Sequence, residues 1–168
     1  MTKKTHKDGT SRVSEAIKNI DCTHAVIVQG DEPMITKKIL NKFKREIKKN
    51  PNTNCFNYAS RFKDKKVLFD SNSVKCIIDN KYFISDAFRI KKNLPNQEIL
   101  KLQGVFAYKK NFLLKIKFIK ENNRQKKEKI EQLRIILSKY KIKSIIGNED
   151  YQSINTPEDY RKIKRILN

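Results

Sequence analysis

Residues 25–51 read AVIVQGDEPMITKKILNKFKREIKKNP, and the fold follows from this stretch. Ala25 to Val28 is an unbroken apolar run with β-branched members, short enough for a strand buried on both faces. Gly30-Asp31-Glu32-Pro33 follows at once as a turn signal. Ile35, Ile39, Leu40, Phe43 and Ile47 then recur at helical spacing until Asn50-Pro51 stops the helix. Strand, turn and helix in that order make half of a βαβ unit, which predicts an α/β fold.

Working outward, Ser11–Asn19 reads as a short helix with Val13, Ala16, Ile17 and Ile20 on one side. Downstream, Asn54–Ser60, Val74–Asp79, Tyr82–Ser85, Gly104–Tyr108 and Ile142–Ile146 are strand candidates. Phe112–Phe118 reads as a short helix. Glu128–Tyr140 reads as a longer one, burying Ile130, Leu133, Ile136, Leu137 and Tyr140. A last helix opens at Thr156-Pro157-Glu158-Asp159 and is expected to bury Tyr160, Ile163, Ile166 and Leu167. Thr suits the N-cap, Pro the first turn, and Asp159 stands at a capping-box distance from Thr156.

Composition narrows the functional classes. The 168 residues suit one domain. No apolar run approaches the roughly 18 residues a membrane span needs, and the basic start has no apolar h-region of a secretory signal behind it. No membrane partner and a cytoplasmic location are expected. The formal charge of +21 invites a nucleic-acid reading. Lys, however, supplies 31 of the 39 basic residues, and planar phosphate recognition favours Arg. The lysines are spread along the whole chain, and no helix-turn-helix, RNA-binding or zinc pattern appears, so nucleic acid is not the expected partner. Cys22, Cys55 and Cys76 are odd in number and far apart, which indicates neither a disulfide framework nor a zinc site. Four dispersed glycines write no Walker loop and no G-x-G-x-x-G.

Asp31 is the foremost chemical candidate. It lies just past the carboxyl end of a strand, where open α/β sheets place ligands, and with Glu32 it could offer hard oxygen to Mg²⁺ and a nucleotide phosphate. The same four residues also read as a polar turn with an acidic helix entrance, and the residues alone leave both readings open.

Val28 to Ile35, VQGDEPMI, resembles the corresponding motif of the 3-deoxy-manno-octulosonate cytidylyltransferases. Further stretches are similar in the same order: Met1-Thr2 through His6, Gly9-Thr10 and Arg12 to Glu15; Asn72-Ser73-Val74-Lys75; Gly104 to Tyr108; Glu131-Gln132-Leu133-Arg134; and Ile154 to Asp159. The resemblance implies a Rossmann-like nucleotide-diphospho-sugar transferase fold with a mixed sheet flanked by helices. It implies transfer of a cytidylyl group from CTP to an acidic sugar, with release of pyrophosphate, for lipopolysaccharide or surface-glycan synthesis. By the same resemblance Asp31 is a Mg²⁺ ligand, His6, Gly9, Thr10 and Arg12 lie by the nucleotide, and Gln29, Glu131 and Gln132 line a sugar pocket. A homodimer is implied as well.

The sequence departs from the family pattern in ways that carry chemistry. The family's opening strand and basic, glycine-containing phosphate loop have no counterpart, which implies an incomplete fold, an open sheet edge beside Ala25–Val28 and weak binding of Mg·CTP. The second metal carboxylate is replaced by Asn155, whose amide oxygen can ligate Mg²⁺ without charge. A sugar-pocket His and Tyr correspond to Leu102 and Phe106, and S-R-A-x-I-P has become Ser85 to Ile90. A truncated, inactive relative serving as an interaction partner is the alternative these departures raise.

Overall fold

The computed structural model describes residues 2–167 apart from 4, 7, 150 and 151. Met1, Lys4 and Lys7 of the amino-terminal motif lie outside the described residues. The elements run α1 (Gly9–Ala16), β1 (His24–Val28), α2 (Lys37–Lys49), β2 (Cys55–Ser60), β3 (Val74–Ile78), β4 (Ile84–Phe88), β5 (Ile99–Lys109), α3 (Lys110–Lys115), α4 (Asn123–Glu128), α5 (Gln132–Leu137), β6 (Ile142–Gly147) and α6 (Pro157–Leu167). The α/β expectation holds: six strands form one mixed sheet in the order β4-β3-β5-β2-β6, with β1 also on β5.

β5 organises the sheet. One of its edges pairs antiparallel with β2, which in turn runs parallel to β6. Its other edge is shared end to end, with β3 pairing along Ile99–Leu102 and β1 along Val105–Lys109. Both partners run antiparallel to β5, so the carboxyl end of β1 points at the amino end of β3, and Gly104 lies at the gap between them.

Alternation along β5 separates two cores. On one face Val105 and Ala107 pack with Phe56, Tyr58 and Ile145 beneath Ile39 and Phe43 of α2. On the other, Phe106 and Tyr108 join Ile27, Leu113 and Leu133 beneath α1, α3 and α5. Asn57 spans the bulge in β2, its side-chain amide donating to the carbonyls of Gln103 and Val105.

Several sequence expectations are corrected by packing. β1 is not buried on both faces: Ile27 points into the core, while Val26 and Val28 are 42% and 39% exposed because α2 covers β2, β5 and β6 instead. The helix expected over Glu128–Tyr140 is shorter, α5 over Gln132–Leu137, and a separate short helix, α4, ends at Glu128, where Lys129 adopts a left-handed φ of 53°. α5 ends at Leu137, and Leu137 and Tyr140 are exposed while Ile130 and Leu133 stay buried. In α6 only Ile163 is buried, and no described residue covers Tyr160, Ile166 or Leu167. The strand expected at Tyr82–Ser85 begins two residues later, because Tyr82 turns the chain with a φ of 62°. Among the described residues no helix is long and apolar enough to cross a membrane.

Candidate functional site

The gap between β1 and β3 opens into a cavity of about 770 Å³, within the range of small-molecule sites. Gln29, Asp31 and Glu32 enter it from the end of β1, Ser73 and Val74 from the start of β3, and Lys101 and Gly104 from β5. The strap of residues 152–156 and the first turn of α6 close it, bringing Asn155 into the same lining as Asp31. Chain direction dictates the place: the hydrogen-bond ladder between β1 and β5 ends where the Gln29 N–H donates to the Gly104 carbonyl at 3.0 Å. Beyond it the Gly30–Pro33 turn leaves the sheet.

The strap is fixed at both ends. The Ile154 N–H donates to the Asp31 carbonyl at 2.8 Å, and the Ser153 hydroxyl donates to Glu32 Oε1 at 2.8 Å. Thr156 and Asp159 form the reciprocal cap expected for α6: Thr156 Oγ1 accepts from the Asp159 N–H, and Asp159 Oδ2 accepts from the Thr156 N–H. Glu32 Oε1 also accepts from the Gly104 N–H at 2.8 Å. Burial raises the Glu32 carboxyl above the usual carboxylate range, against the lowering effect of the Ser153 and Gly104 hydrogen bonds.

On the β3 side, Lys75 is fully buried, and its ammonium donates to the carbonyls of Asp70 and Ser73 at 2.7 and 2.9 Å. It thereby shapes the loop that lines the cavity opposite Asp31. Arg89 binds the same loop through the carbonyls of Ser71 and Asn72. Past the end of β6, Glu149 accepts from Tyr58, Lys38 and Lys42, which tie the start of the following segment to β2 and α2. Gly147 is required there, since a Cβ would meet the Tyr58 hydroxyl at 1.8 Å.

The remaining sequence-derived candidates gather elsewhere. Glu131 accepts from the Gly9 N–H at 3.3 Å and from the Thr10 hydroxyl. Asp8 caps α1 and pairs with the buried Arg134 at 2.8 Å. His6 bonds Glu15, Arg12 donates to Thr2, and Gln132 is buried at the start of α5. Glu131 and Arg134 thus join α1 to the start of α5, His6 and Arg12 bond within the amino-terminal segment, and none of these residues lines the Asp31 cavity. Ser153 and the Glu149–Tyr58 bond leave no local sequence signal: Ser153 stands in an irregular segment, and the bond joins residues 91 positions apart. Lys75 is a different case. A lysine in an otherwise apolar strand, VKCII, was the available signal.

No group of three or more His, Cys, Asp or Glu that could hold a metal occurs among the described residues. Mg²⁺ commonly takes one or two carboxylates and completes its shell with water and substrate phosphates. Asp31 and Asn155, which line one cavity, are the residues here that could contribute such oxygens.

A cytidylyltransferase family model matches residues 1–145. The 3-deoxy-manno-octulosonate cytidylyltransferase of a Nitratiruptor species is 31% identical over 97% of this chain and 72% of its own length. That of Zea mays is 28% identical over 99% of this chain, which spans 59% of the maize protein's length. Among solved structures, CMP:2-keto-3-deoxy-manno-octonic acid synthetase complexed with CTP superposes with a TM-score of 0.90 at 20% identity, over 99% of this chain and 70% of that one.

Proposed function

Because this chain belongs to the cytidylyltransferase family, with 3-deoxy-manno-octulosonate cytidylyltransferases among its relatives, we propose that it serves the activation of that sugar, or a related acidic sugar, by CTP. The anomeric hydroxyl oxygen forms a bond to the α-phosphorus, the bond from that phosphorus to the bridging oxygen breaks, and pyrophosphate leaves with the electron pair. The hydroxyl proton passes to solvent or a nearby base. The product feeds lipopolysaccharide or surface-glycan synthesis.

The observation that carries this reading is the presence of Asp31 and Asn155 in the lining of one cavity at the carboxyl end of β1. In it, Asp31 and Asn155 would hold Mg²⁺, which when bound screens the triphosphate charge. Lys101 and Lys162, in the same lining, add positive charge toward the phosphates. Gln29 is offered to sugar hydroxyls. His6, Gly9, Thr10 and Arg12 are assigned to the nucleotide side, and Glu131, whose carboxylate bonds Gly9 and Thr10, and Gln132 are assigned with Gln29 to the sugar. The three free cysteines fit a reducing, cytoplasmic location, and a homodimer belongs to the same proposal.

The test is pyrophosphate release from CTP, 3-deoxy-manno-octulosonate and Mg²⁺. Asp31→Asn should lower turnover by roughly 10²-fold or more. Near-normal turnover would remove Asp31 from the site, and no release with this or related acidic sugars would reject the reading.

A further inference from the structure

We propose that Glu32 is a positioning residue: it docks the strap of residues 152–156 onto the end of β1 and so keeps Asn155 in the same cavity as Asp31. The inference rests on the metal reading of that cavity given above. Glu32 is only 5% exposed, and a single oxygen, Oε1, joins two chain segments that nothing else in their local sequence would unite. It accepts from the Gly104 N–H of β5 and from the Ser153 hydroxyl of the strap, both at 2.8 Å.

The adjacent backbone makes the next link, the Ile154 N–H donating to the Asp31 carbonyl at 2.8 Å. Consecutive turn residues, Asp31 and Glu32, therefore grip consecutive strap residues, Ile154 and Ser153. One step further on, the Asn155 N–H donates to Asp159 Oδ2 at 3.1 Å, so Asn155 is held between the turn and the start of α6.

Gly104 is part of the same device. A Cβ there would lie 2.5 Å from Glu32 Oε1 and 2.4 Å from Gln29 Oε1, so only glycine lets the carboxylate reach the β5 main chain. Elsewhere α6 is tied down by the burial of one residue, Ile163. The strap thus depends on its polar anchors more than on apolar packing, and Glu32 supplies the anchor that reaches the sheet.

The experiment is residue-resolved hydrogen exchange on the full chain, followed by Mn²⁺ titration, comparing wild type with Glu32→Ala, Glu32→Gln and Ser153→Ala. Gln keeps an oxygen that can accept both bonds, whereas Ala removes both. Glu32→Ala should speed exchange at Ile154 at least tenfold while Tyr58 in β2 exchanges as in wild type, and Glu32→Gln should restore most of the protection. Unchanged exchange at Ile154 in Glu32→Ala, or equal acceleration at Ile154 and Tyr58, would overturn the proposal. Should Glu32→Ala fail to fold, Ser153→Ala decides, since it removes one strap bond and leaves the sheet intact: faster exchange at Ile154 supports docking, and no change refutes it. In the titration Glu32→Ala should weaken Mn²⁺ binding at least threefold, with Glu32→Gln near wild type. A released strap with unaltered Mn²⁺ affinity would refute the positioning role. Wild type that binds no Mn²⁺ would instead fail the metal reading, while the exchange data still decide whether Glu32 docks the strap.

Discussion

Lys75 shows how a buried charge can be tolerated on a central strand. Burial pulls its pKa down to about 8 from an ordinary value of 10.5, and the neighbouring Asp70 carboxylate works against that pull. Between those two pH values the folded chain binds fewer protons at this site than the unfolded chain. The contribution of Lys75 to stability therefore rises with pH across the window. Urea unfolding at pH 8 and pH 10 should show a gain for wild type relative to Lys75→Met, and equal pH slopes for the two proteins would reject the assignment. At this scale the sequence was partly legible. Asp31 could be singled out because a short apolar run and a turn stand directly beside it. The Glu32 bonds to Gly104 and Ser153 could not, because they join residues 72 and 121 positions apart, and no local pattern records such a link.

Elements were legible where one face is regularly apolar and illegible where tertiary context decides. α2 runs from Lys37 to Lys49, as its apolar spacing requires, because Ile39 and Phe43 have a sheet face to cover. The break at Lys129 leaves no mark in the apolar pattern of residues 128–140, since nothing in residue type demands a left-handed lysine there. β1 misleads for the opposite reason: its composition suits a strand covered on both sides, yet the described chain covers only the Ile27 side. Val26 and Val28 thus leave an apolar strip beside an edge whose backbone groups pair only with β5. Val26→Lys should change unfolding stability by no more than about 0.5 kcal/mol, as for an exposed position. It should also reduce self-association in light scattering. A loss of several kcal/mol, about what burying a charge in a core costs, would mean that Val26 is covered in the native protein.

Across the whole molecule, a net charge of +21 opposes compaction through self-repulsion that surface ion pairs offset only in small part. Exposed charges are screened at about 10 Å in 0.1 M salt. Raising NaCl from about 0.05 to 0.5 M, which shortens that length roughly threefold, should raise the melting temperature by several degrees. A fall in melting temperature over the same range would show that attractive pairs dominate the surface. The sharing of one β5 edge by β1 and β3 has a further consequence in time. On the ribosome β1 emerges about 80 residues ahead of its partner strand, a delay of several seconds at roughly 5–20 residues per second. Throughout that interval the VIV run has no native strand to join. The nascent chain therefore exposes an apolar strand before its matching edge exists, which makes that run a target for chaperone capture during synthesis.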